Sequence, residues 1–340
     1  MSKVTADIIV DLQYGDSGKG KVAYHLAKDG SYTHVMRYSG GANAGHTVYH
    51  NGKKFVTHII PVGVFFGITS IISNGCVVNV KGFLEEVQEL EDAGLEVRKH
   101  IRIASNAHII TDTHLEEEVN ESKIGTTKRG IGPAYRDKYA RVGVRAEEIP
   151  ELKEFIIDLH DFFHNSSDGI EVLCEGAQGY GLGVDWGDYP YVTSSNPTVS
   201  SVLASGVPRD AIRDVWGVIK AYETYVGGQK RGKPFQPDDP VFKKIQKVGG
   251  EFGATTGRSR EVNWIDMDLV TRGAQHNGIT KLVINKFDIL REVGAWGLVK
   301  NGEPVTFDTE AEFRGEAEKF ARELGLDSES VYFSESPEKI

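Results

Sequence analysis

A glycine- and lysine-rich segment follows an apolar run near the start of the chain and limits what the chain can fold into. Ile8 to Leu12 predicts a strand, and Gly15-Asp16-Ser17-Gly18-Lys19-Gly20-Lys21 then precedes a helix-like stretch. Glycines at such a turn let backbone N–H groups approach a phosphate, while the helix N-terminus and the lysines add positive charge. The segment therefore predicts a phosphate-binding loop, in preference to a plain glycine turn with solvent-facing lysines.

The loop departs from the common nucleotide-binding pattern at one position. Gly15, Gly20 and Lys21 have the spacing of G-x-x-x-x-G-K-[ST], but Val22 replaces the hydroxyl residue that normally holds Mg²⁺. A magnesium site would need another hard oxygen ligand, and Asp16 is the nearest candidate. The segment also fits a degenerate dinucleotide fingerprint, which is a weak signal by itself.

Length and glycine content favour one large α/β domain. The chain has 340 residues, and 39 of them are glycine, about 11% where ~7% is usual. At ~150 residues per domain the length predicts two domains or one large one. No Pro/Ser-rich linker divides the sequence, so we expect a single domain over residues 1–340.

Charge and cysteine content exclude several classes of protein. With 39 Lys+Arg against 49 Asp+Glu, the net charge is −10, which argues against broad nucleic-acid binding. Cys76 and Cys174 are too far apart for a zinc module or a disulfide framework. The longest apolar stretch, at 59–72, is interrupted and too short to cross a membrane. The first residues, 1–7, lack the apolar segment of a secretory leader, so we expect no such leader. We expect a cytoplasmic protein without nucleic-acid or membrane partners.

Short β-branched runs alternate with amphipathic stretches between the glycine clusters, which is the pattern of an α/β sheet. Helices are predicted at 83–93 and 310–324, and Asn301-Gly302 predicts a hairpin turn. Ile71-Ile72 and Val77-Val78 together predict one strand. The other predicted strands are 101–103, 172–174, 215–221, 282–285 and 331–333.

A second cluster, Ser39-Gly40-Gly41-Ala42-Asn43-Ala44-Gly45-His46-Thr47, follows the strand-like run 35–38. Small residues surround Asn43 and His46, so backbone and imidazole can both reach a ligand. Asn offers a donor and an acceptor for a purine edge, and His can act as a general acid. A single histidine is more often structural, but its place in a glycine-lined loop favours a functional role.

Three further regions combine polar side chains with glycine. The segment 124–135, followed by Arg141, suits a monoester phosphate and a solvated surface loop equally well. Turns at 175–179 and 189–196 would by themselves be ordinary polar turns. The segment 253–260 contains Arg258 and Arg260, which suits bidentate binding of a small dicarboxylate, or a flexible basic loop.

A four-residue motif near the C-terminal end points to a nucleotide base. Asn285-Lys286-Phe287-Asp288 ends a predicted strand and has the N-K-x-D form that recognises guanine in nucleotide-binding proteins. The Asp carboxylate accepts from the ring N–H and the amino group. Short matches occur by chance, but this one shares its chain with a phosphate loop, which strengthens the prediction.

Taken in order, these motifs resemble the adenylosuccinate synthetase family over nearly the whole chain, from Val10 to Pro337. The resemblance implies a homodimer with a large, mostly parallel central sheet, flanking helices and long glycine-rich active-site loops. It also implies a carbon–nitrogen ligase that joins L-aspartate to carbon 6 of a purine monophosphate, using a nucleoside triphosphate and Mg²⁺. The 6-oxygen is a poor leaving group, so it must first be phosphorylated, which needs a carboxylate base, an imidazole acid and a metal.

Motif positions carry the family's roles onto this sequence. Asp16 is expected to take the N1 proton and to bind Mg²⁺ with Gly45, and His46 to act as the acid at the 6-oxygen. The expected catalytic set is Asp16, His46, Ser17, Lys19 and Gln178. Triphosphate contacts are expected at Ser17, Gly18, Lys19, Gly20, Lys21, Gly45, His46, Thr47, Lys286, Asp288, Ser334 and Pro337. Purine monophosphate contacts are expected at Ser17, Asn43, Thr126, Thr127, Arg141, Gln178, Thr193, Val226 and Arg258. L-aspartate is expected at Thr255, Thr256, Arg258 and Arg260, while Arg141 is expected to reach the neighbouring subunit's site.

Departures from the family's pattern are similar to those of its viral branch. Ser17 stands where the family's G-D-E-G-K-G-K has Glu, and Ser39 and Ala42 stand where Q-G-G-H-N-A-G-H has Gln and His. The viral branch uses dGMP where the common enzyme uses IMP, and forms N6-succino-2-amino-2'-deoxyadenylate for 2-aminoadenine synthesis in the host cytoplasm. The 2-amino group of dGMP needs space and an acceptor, which Ser17 or Ser39 is expected to supply.

The sequence leaves alternatives for the phosphoryl donor and for the function. The viral branch is associated with ATP or dATP, whereas Asp288 favours the guanine of GTP. The first alternative function is an adenylosuccinate synthetase acting on IMP with GTP. The second is a nucleotide-regulated GTPase switch, which would give the segment 253–260 no role. A dinucleotide-binding oxidoreductase fits least, because an acidic ribose partner is missing at the proper distance.

Overall fold

A computed structural model describes residues 4–119, 124–165, 169–226, 239–253, 257, 259–336 and 339–340. The strands in this part of the chain, β1 to β17, are Val4–Asp11, His34–Arg37, His46–His50, Lys53–Thr57, Thr69–Ile72, Val77–Val78, Ile101–Ala104, His108–Ile109, Ile156–Ile157, Ile170–Glu175, Ile212–Lys220, Tyr222–Tyr225, Glu261–Asp266, Lys281–Asn285, Trp296–Lys300, Glu303–Phe307 and Val331–Phe333. The helices, α1 to α11, are Lys19–Asp29, Val80–Asp92, Val97–His100, Asp112–Val119, Ile131–Ala140, Leu159–Asn165, Ser200–Ala204, Pro240–Val248, Met267–Asn277, Phe287–Val293 and Glu310–Glu323.

Nine strands form a parallel central sheet in the order β17-β14-β11-β1-β10-β2-β5-β7-β9. Strand β1 lies near the middle, and every residue in it except Thr5 is buried. Such continuous burial is typical of a parallel strand that is covered on both faces. The α/β fold with a large, mostly parallel sheet and flanking helices is confirmed.

A smaller four-stranded sheet, β12-β13-β15-β16, stands beside the main sheet. Its strands β15 and β16 are antiparallel and joined at Asn301 and Gly302, both with positive φ, as the hairpin turn predicts. The expectation of one strand at 71–78 is wrong: β5 belongs to the main sheet, whereas β6 pairs with β8. Asn74 and Gly75 form a turn between them, which ends the first strand.

A continuous apolar core joins both faces of the main sheet to its helices. Cys76 and Cys174 are buried free thiols within it. The predicted helices at 83–93 and 310–324 correspond to α2 and α11. In the described ranges, the structure contains no helix with the length and apolar character needed to span a membrane.

Candidate active site

The loops that follow the carboxyl ends of the central strands enclose a cavity of about 440 Å³. Parallel strands place these ends at one edge of a sheet, where α/β folds bind ligands. The cavity brings together sixteen of the residues predicted from the sequence. They are Asp16, Gly18, Lys19, Gly20, Lys21, Asn43, Gly45, His46, Thr47, Thr126, Thr127, Gln178, Thr193, Val226, Arg260 and Lys286.

The carboxylate of Asp11, at the end of β1, organises the glycine-rich loop. It accepts from the backbone N–H groups of Gln13 at 2.9 Å and of Gly15 and Ser17 at 3.3 Å. Its other partner is the ammonium group of Lys19, at 3.0 Å, and both side chains are buried. The Asp11 carboxylate therefore neutralises the charge of Lys19. Lys19 stabilises the shape of the loop and also lines the cavity.

Close packing between α1 and β3 explains one glycine of the loop. A Cβ atom on Gly20 would lie 2.8 Å from the Cβ of His46 and 3.0 Å from its Cγ. Ordinary carbon–carbon contacts are about 3.5–4.0 Å. Only glycine therefore allows the start of α1 to approach the histidine this closely, which places His46 beside the phosphate loop.

Buried Arg37 fixes the state of the His46 ring. Its Nη2 lies 3.0 Å from Nδ1 of His46, and its Nε and Nη2 also donate to Oε1 of Glu175 at 2.8 and 2.6 Å. Arginine has no acceptor, so Nδ1 must accept, and neutral His46 carries its proton on Nε2. Burial and the Arg37 charge lower the pKa of His46 to about 4. In this state the imidazole is neutral and can donate a hydrogen bond from Nε2, and its role as the acid at the 6-oxygen stays a prediction.

Asp16 lies in the left-handed region at φ 56°, with a partly exposed carboxylate that faces the cavity. Its Oδ2 lies 3.0 Å from Nε of Arg260. Arg260 in turn donates from Nη1 to Oε2 of Glu251 at 2.6 Å. Burial alone would raise the pKa of Glu251, but Lys220 and Arg260 lower it to about 2. The candidate base is thus paired with the residue expected to bind aspartate.

Lys21 and Lys286 line the same cavity, and Asp288 follows Lys286 by two residues in the chain. Lys21 Nζ donates to the hydroxyl of Ser334 and, at 3.1 Å, to the carbonyl of Ser336. Burial lowers the pKa of Lys21 to about 8, while Asp288 opposes that change and Lys286 adds to it. Lys21 belongs to the phosphate loop and Lys286 to the N-K-x-D motif, and both line one cavity, so the two segments lie at one site.

Four predicted residues do not line the cavity: Ser17, Arg141, Asp288 and Ser334. Ser17 is 1% exposed and donates its hydroxyl to Oε1 of Gln13 at 3.0 Å. Ser39 is also buried outside the lining. The expectation that either serine presents a hydroxyl to the purine is therefore not met in this structure. The expected contacts at Thr255, Thr256, Arg258 and Pro337 lie outside the described residues.

Comparison with known proteins identifies the family. The adenylosuccinate synthetase family model matches residues 8–156 and 149–298. The chain belongs to the adenylosuccinate synthetase family. Adenylosuccinate synthetases of Shouchella clausii and of Xanthomonas oryzae pv. oryzae are 37% and 39% identical to it, each over 83% of this chain and 77% of their own. As a member, the protein is a carbon–nitrogen ligase that uses aspartate, a purine nucleotide, a nucleoside triphosphate and Mg²⁺.

One solved structure supports the same assignment, and a second shares the fold. Fully ligated adenylosuccinate synthetase from Plasmodium falciparum superposes with a TM-score of 0.82, at 28% identity over 98% of each chain. The succinoaminodeoxyadenylate synthetase of cyanophage S-2L, bound to dGMP and dATP, has a TM-score of 0.70 at 23% identity, over 93% of this chain and 99% of its own. The cyanophage enzyme shares the fold. Membership of a ligase family also disfavours the GTPase switch.

The cavity of this adenylosuccinate synthetase family member suits Mg²⁺ chemically. Asp16 offers a carboxylate that is 43% exposed, and the backbone of Gly45 lines the same cavity. Mg²⁺ takes hard oxygen ligands and usually combines one or two carboxylates with water and substrate phosphates. A single carboxylate beside the phosphate loop therefore fits the ion that the family uses.

Sequence reasoning missed the buried residues that support the site. Asp11, Arg37 and Glu175 organise the phosphate loop and the His46 ring, while Lys220 and Glu251 lie beneath Asp16 and Arg260. Asp11, Arg37, Glu175 and Lys220 are charged residues at or next to the end of a predicted strand, and that position was the available signal. Glu251 follows α8, which the sequence analysis did not predict, so it had no such signal. Their pairing depends on contacts across more than a hundred residues in the case of Arg37 and Glu175.

Proposed function

We propose that this protein joins L-aspartate to carbon 6 of dGMP and forms N6-succino-2-amino-2'-deoxyadenylate. The observation that carries the proposal is Ala42, which lines the cavity where the family's usual pattern has histidine. A methyl group there leaves room beside Asn43 for the 2-amino group that distinguishes the base of dGMP from that of IMP. The cyanophage enzyme of the same fold, which binds dGMP, supports this choice.

In our proposal, the two buried serines matter because their side chains are small, and neither hydroxyl contacts the purine. Ser17 and Ser39 are each 1% exposed, and neither lines the cavity. Replacing the family's Glu and Gln with these residues removes bulk from behind the loops that carry Asp16 and Asn43. In our proposal, dGMP is accommodated by this loss of bulk together with Ala42.

The first half-reaction activates the 6-oxygen of the purine. Asp16 takes the proton from N1, and the electron pair moves to the 6-oxygen, which attacks the γ-phosphorus while the nucleoside diphosphate leaves. His46 donates a hydrogen bond from Nε2 to the 6-oxygen as its negative charge develops. Mg²⁺, when bound, neutralises charge on the transferred phosphoryl group. Lys21 and Lys286 orient the triphosphate and balance its charge.

In the second half-reaction the amine of L-aspartate attacks carbon 6. The bond between carbon 6 and its oxygen breaks, and that oxygen leaves as part of inorganic phosphate. The ammonium group of aspartate gives one proton to solvent before the attack and a second to the departing phosphate or to solvent after it, so atoms and charge balance. Arg260 is proposed to bind a carboxylate of aspartate, and Thr255, Thr256 and Arg258 are proposed as further aspartate ligands on their sequence positions alone. Bidentate arginine–carboxylate contact fixes the orientation of the amine.

ATP or dATP is proposed as the phosphoryl donor, with GTP as the competitor. The cyanophage enzyme was captured with dATP as an energy donor, whereas Asp288 belongs to a motif that favours guanine. Measuring turnover with saturating ATP, dATP and GTP in parallel tests the donor. Asp288→Asn should lower turnover with GTP more than with ATP if the carboxylate contacts the base.

A homodimer is proposed to complete the monophosphate site. Arg141 directly follows α5, with φ 66° in the left-handed region; it is exposed and lies outside this chain's cavity. The neighbouring Tyr139 and Val142 are 74% and 70% exposed, which suits a surface that a second copy covers. Mixing inactive Arg141→Leu with inactive Asp16→Asn should restore activity through hybrid dimers that contain one intact site. Absence of any recovery would contradict the shared site.

Substrate choice is tested by product analysis. The protein is incubated with L-aspartate, Mg²⁺, a donor, and either dGMP or IMP, and kcat/KM is compared for the two monophosphates. We expect a preference for dGMP, and Ala42→His should reduce the dGMP-to-IMP ratio by about tenfold or more, since one badly placed group costs 1–3 kcal/mol. A clear preference of the unaltered protein for IMP would refute the proposal.

The second candidate is adenylosuccinate synthetase activity on IMP with GTP. Its support is the 37–39% identity to bacterial adenylosuccinate synthetases, together with Asp288. The same product analysis distinguishes the two functions. IMP yields adenylosuccinate, whereas dGMP yields N6-succino-2-amino-2'-deoxyadenylate. Under this alternative, Ala42→His leaves IMP turnover nearly unchanged.

A further inference from the structure

A buried ion pair lies behind Asp16 and contacts it by two routes. Lys220 ends β11 and Glu251 follows α8, and each is 1% exposed. We propose that Lys220 and Glu251 are positioning residues, which hold both the main chain of Asp16 and the Arg260 guanidinium in their reactive places. The inference rests on the proposed roles of Asp16 as base and Arg260 as aspartate ligand, and extends them to residues outside the cavity lining.

Glu251 anchors the first route. Its Oε2 accepts from Nη1 of Arg260 at 2.6 Å, and its Oε1 accepts from the hydroxyl of Tyr222 at 2.5 Å. The Arg260 guanidinium extends from this contact to the Asp16 carboxylate, with Nε 3.0 Å from Oδ2. A planar guanidinium held at one end has few other directions to point. Glu251 therefore sets where Arg260 meets both Asp16 and an incoming aspartate.

Lys220 provides the second route. Its ammonium group donates to the carbonyl of Asp16 at 3.3 Å, to the hydroxyl of Thr224 at 2.5 Å and to Oε1 of Glu251 at 3.4 Å. Asp16 has a positive φ, a conformation that costs a non-glycine residue energy and needs support from its surroundings. The lysine contact supports this backbone directly.

The four side chains form a row of alternating charge: Lys220, Glu251, Arg260 and Asp16. Removing the charge of Glu251 leaves two buried cations next to each other, so Arg260 should turn away or draw closer to Asp16. Either movement misplaces the aspartate ligand and hinders the base. A residue that only stabilised the fold would lower the amount of folded enzyme without changing one substrate's KM selectively.

The test compares Glu251→Gln with Asp7→Asn in the full-length protein. Asp7 is a matched control because it is also a buried carboxylate. It accepts hydrogen bonds from the hydroxyl of Tyr32 at 2.5 Å and from the guanidinium of Arg213 at 2.7 Å, but it does not line the cavity. After correction for folded fraction, Glu251→Gln should lower kcat/KM for L-aspartate by roughly 10–100-fold, as supporting contacts do at metal sites. The KM for the purine monophosphate should change by less than about twofold, which we count as no effect beside a 10–100-fold loss.

Asp7→Asn should keep both parameters near those of the unaltered protein. The inference is overturned if Glu251→Gln behaves like Asp7→Asn, or if the KM values of both substrates change together. All variants are assayed with whichever monophosphate the unaltered protein prefers, so a failure of the dGMP proposal does not affect this comparison.

A double variant covers the case in which Glu251→Gln does not fold. Lys220→Met with Glu251→Gln removes both buried charges, which is tolerated far better than removing one. We expect a folded protein, judged by cooperative unfolding, that still has the lowered kcat/KM for L-aspartate. A double variant with normal aspartate kinetics would overturn the inference.

Discussion

Replacing Gly20 by alanine should reduce catalysis more than stability. Gly20 is the second residue of α1, and an added Cβ would lie 2.8 Å from His46 Cβ and 3.3 Å from its Cα. These atoms belong to or adjoin the backbone of β3, so a rotamer change cannot relieve the contact. To reach a normal carbon–carbon distance of about 3.5 Å, α1 and β3 must separate by several tenths of an ångström.

The magnitudes favour a catalytic effect. Overpacking of this kind costs about 1–3 kcal/mol, and the better helix propensity of alanine returns up to about 1 kcal/mol. The net loss of unfolding free energy is therefore roughly 0–3 kcal/mol. A displacement approaching 1 Å, by contrast, can cost about 100-fold in rate. We expect kcat for Gly20→Ala to fall about 10–100-fold, because His46 moves away from the 6-oxygen.

Gly315→Ala is the matched control. Gly315 lies inside α11, and nothing is within 4 Å of the position its Cβ would occupy. Alanine there should leave kcat unchanged and raise the unfolding free energy by up to about 1 kcal/mol. Urea unfolding and steady-state turnover are measured for both variants. Wild-type turnover by Gly20→Ala would refute the argument that close packing places His46.

Two further changes test other parts of the structure. Asp11→Asn leaves buried Lys19 without its carboxylate partner. Urea unfolding should show that the free energy of unfolding falls by about 3–5 kcal/mol. A fall of less than about 1 kcal/mol would contradict the role of this pair. The other change concerns His34, whose pKa burial lowers to about 4. In the unfolded chain the pKa of this histidine is near 6.5. As the pH falls from 6.5 to 4, the unfolded state therefore binds the proton before the folded state does, and the free energy of unfolding decreases. His34→Gln should lack this component, which is at most about 1.4 kcal/mol per pH unit, and equal pH slopes for the two proteins would show that His34 titrates normally.

Local sequence patterns predicted the elements that carry the cavity. The apolar run at β1, the glycines after it and the N-K-x-D motif after β14 each depend on neighbours within a few residues, so their structure is visible in the sequence. The run 71–78 was misread, because nothing local shows that β5 and β6 join different sheets. That choice depends on β2 and β8, which lie elsewhere in the chain.

Side-chain direction was the harder part of the prediction. Ser17 sits inside a correctly predicted phosphate loop, yet its hydroxyl turns inward to Gln13. Gln13 is held in turn by the carbonyl of Tyr222 at 3.0 Å, more than two hundred residues away. Lys220 and Glu251 were missed for the same reason, since a buried charged residue is recognisable only when its partner is known.

Hydrogen-bond partners divide the cations of the site into two groups. Lys19 and Arg37 each face a buried carboxylate, at 3.0 and 2.6 Å, so an approaching anion must share them with that carboxylate. Lys21 and Lys286 instead donate to main-chain carbonyl oxygens, at 3.1 and 3.2 Å. Burial also lowers the pKa of Lys21 to about 8, and a bound anion favours its charged form. In a chain of net charge −10, a triphosphate is therefore expected to find its counter-charge at Lys21 and Lys286, while Lys19 and Arg37 hold the loop and the histidine ring.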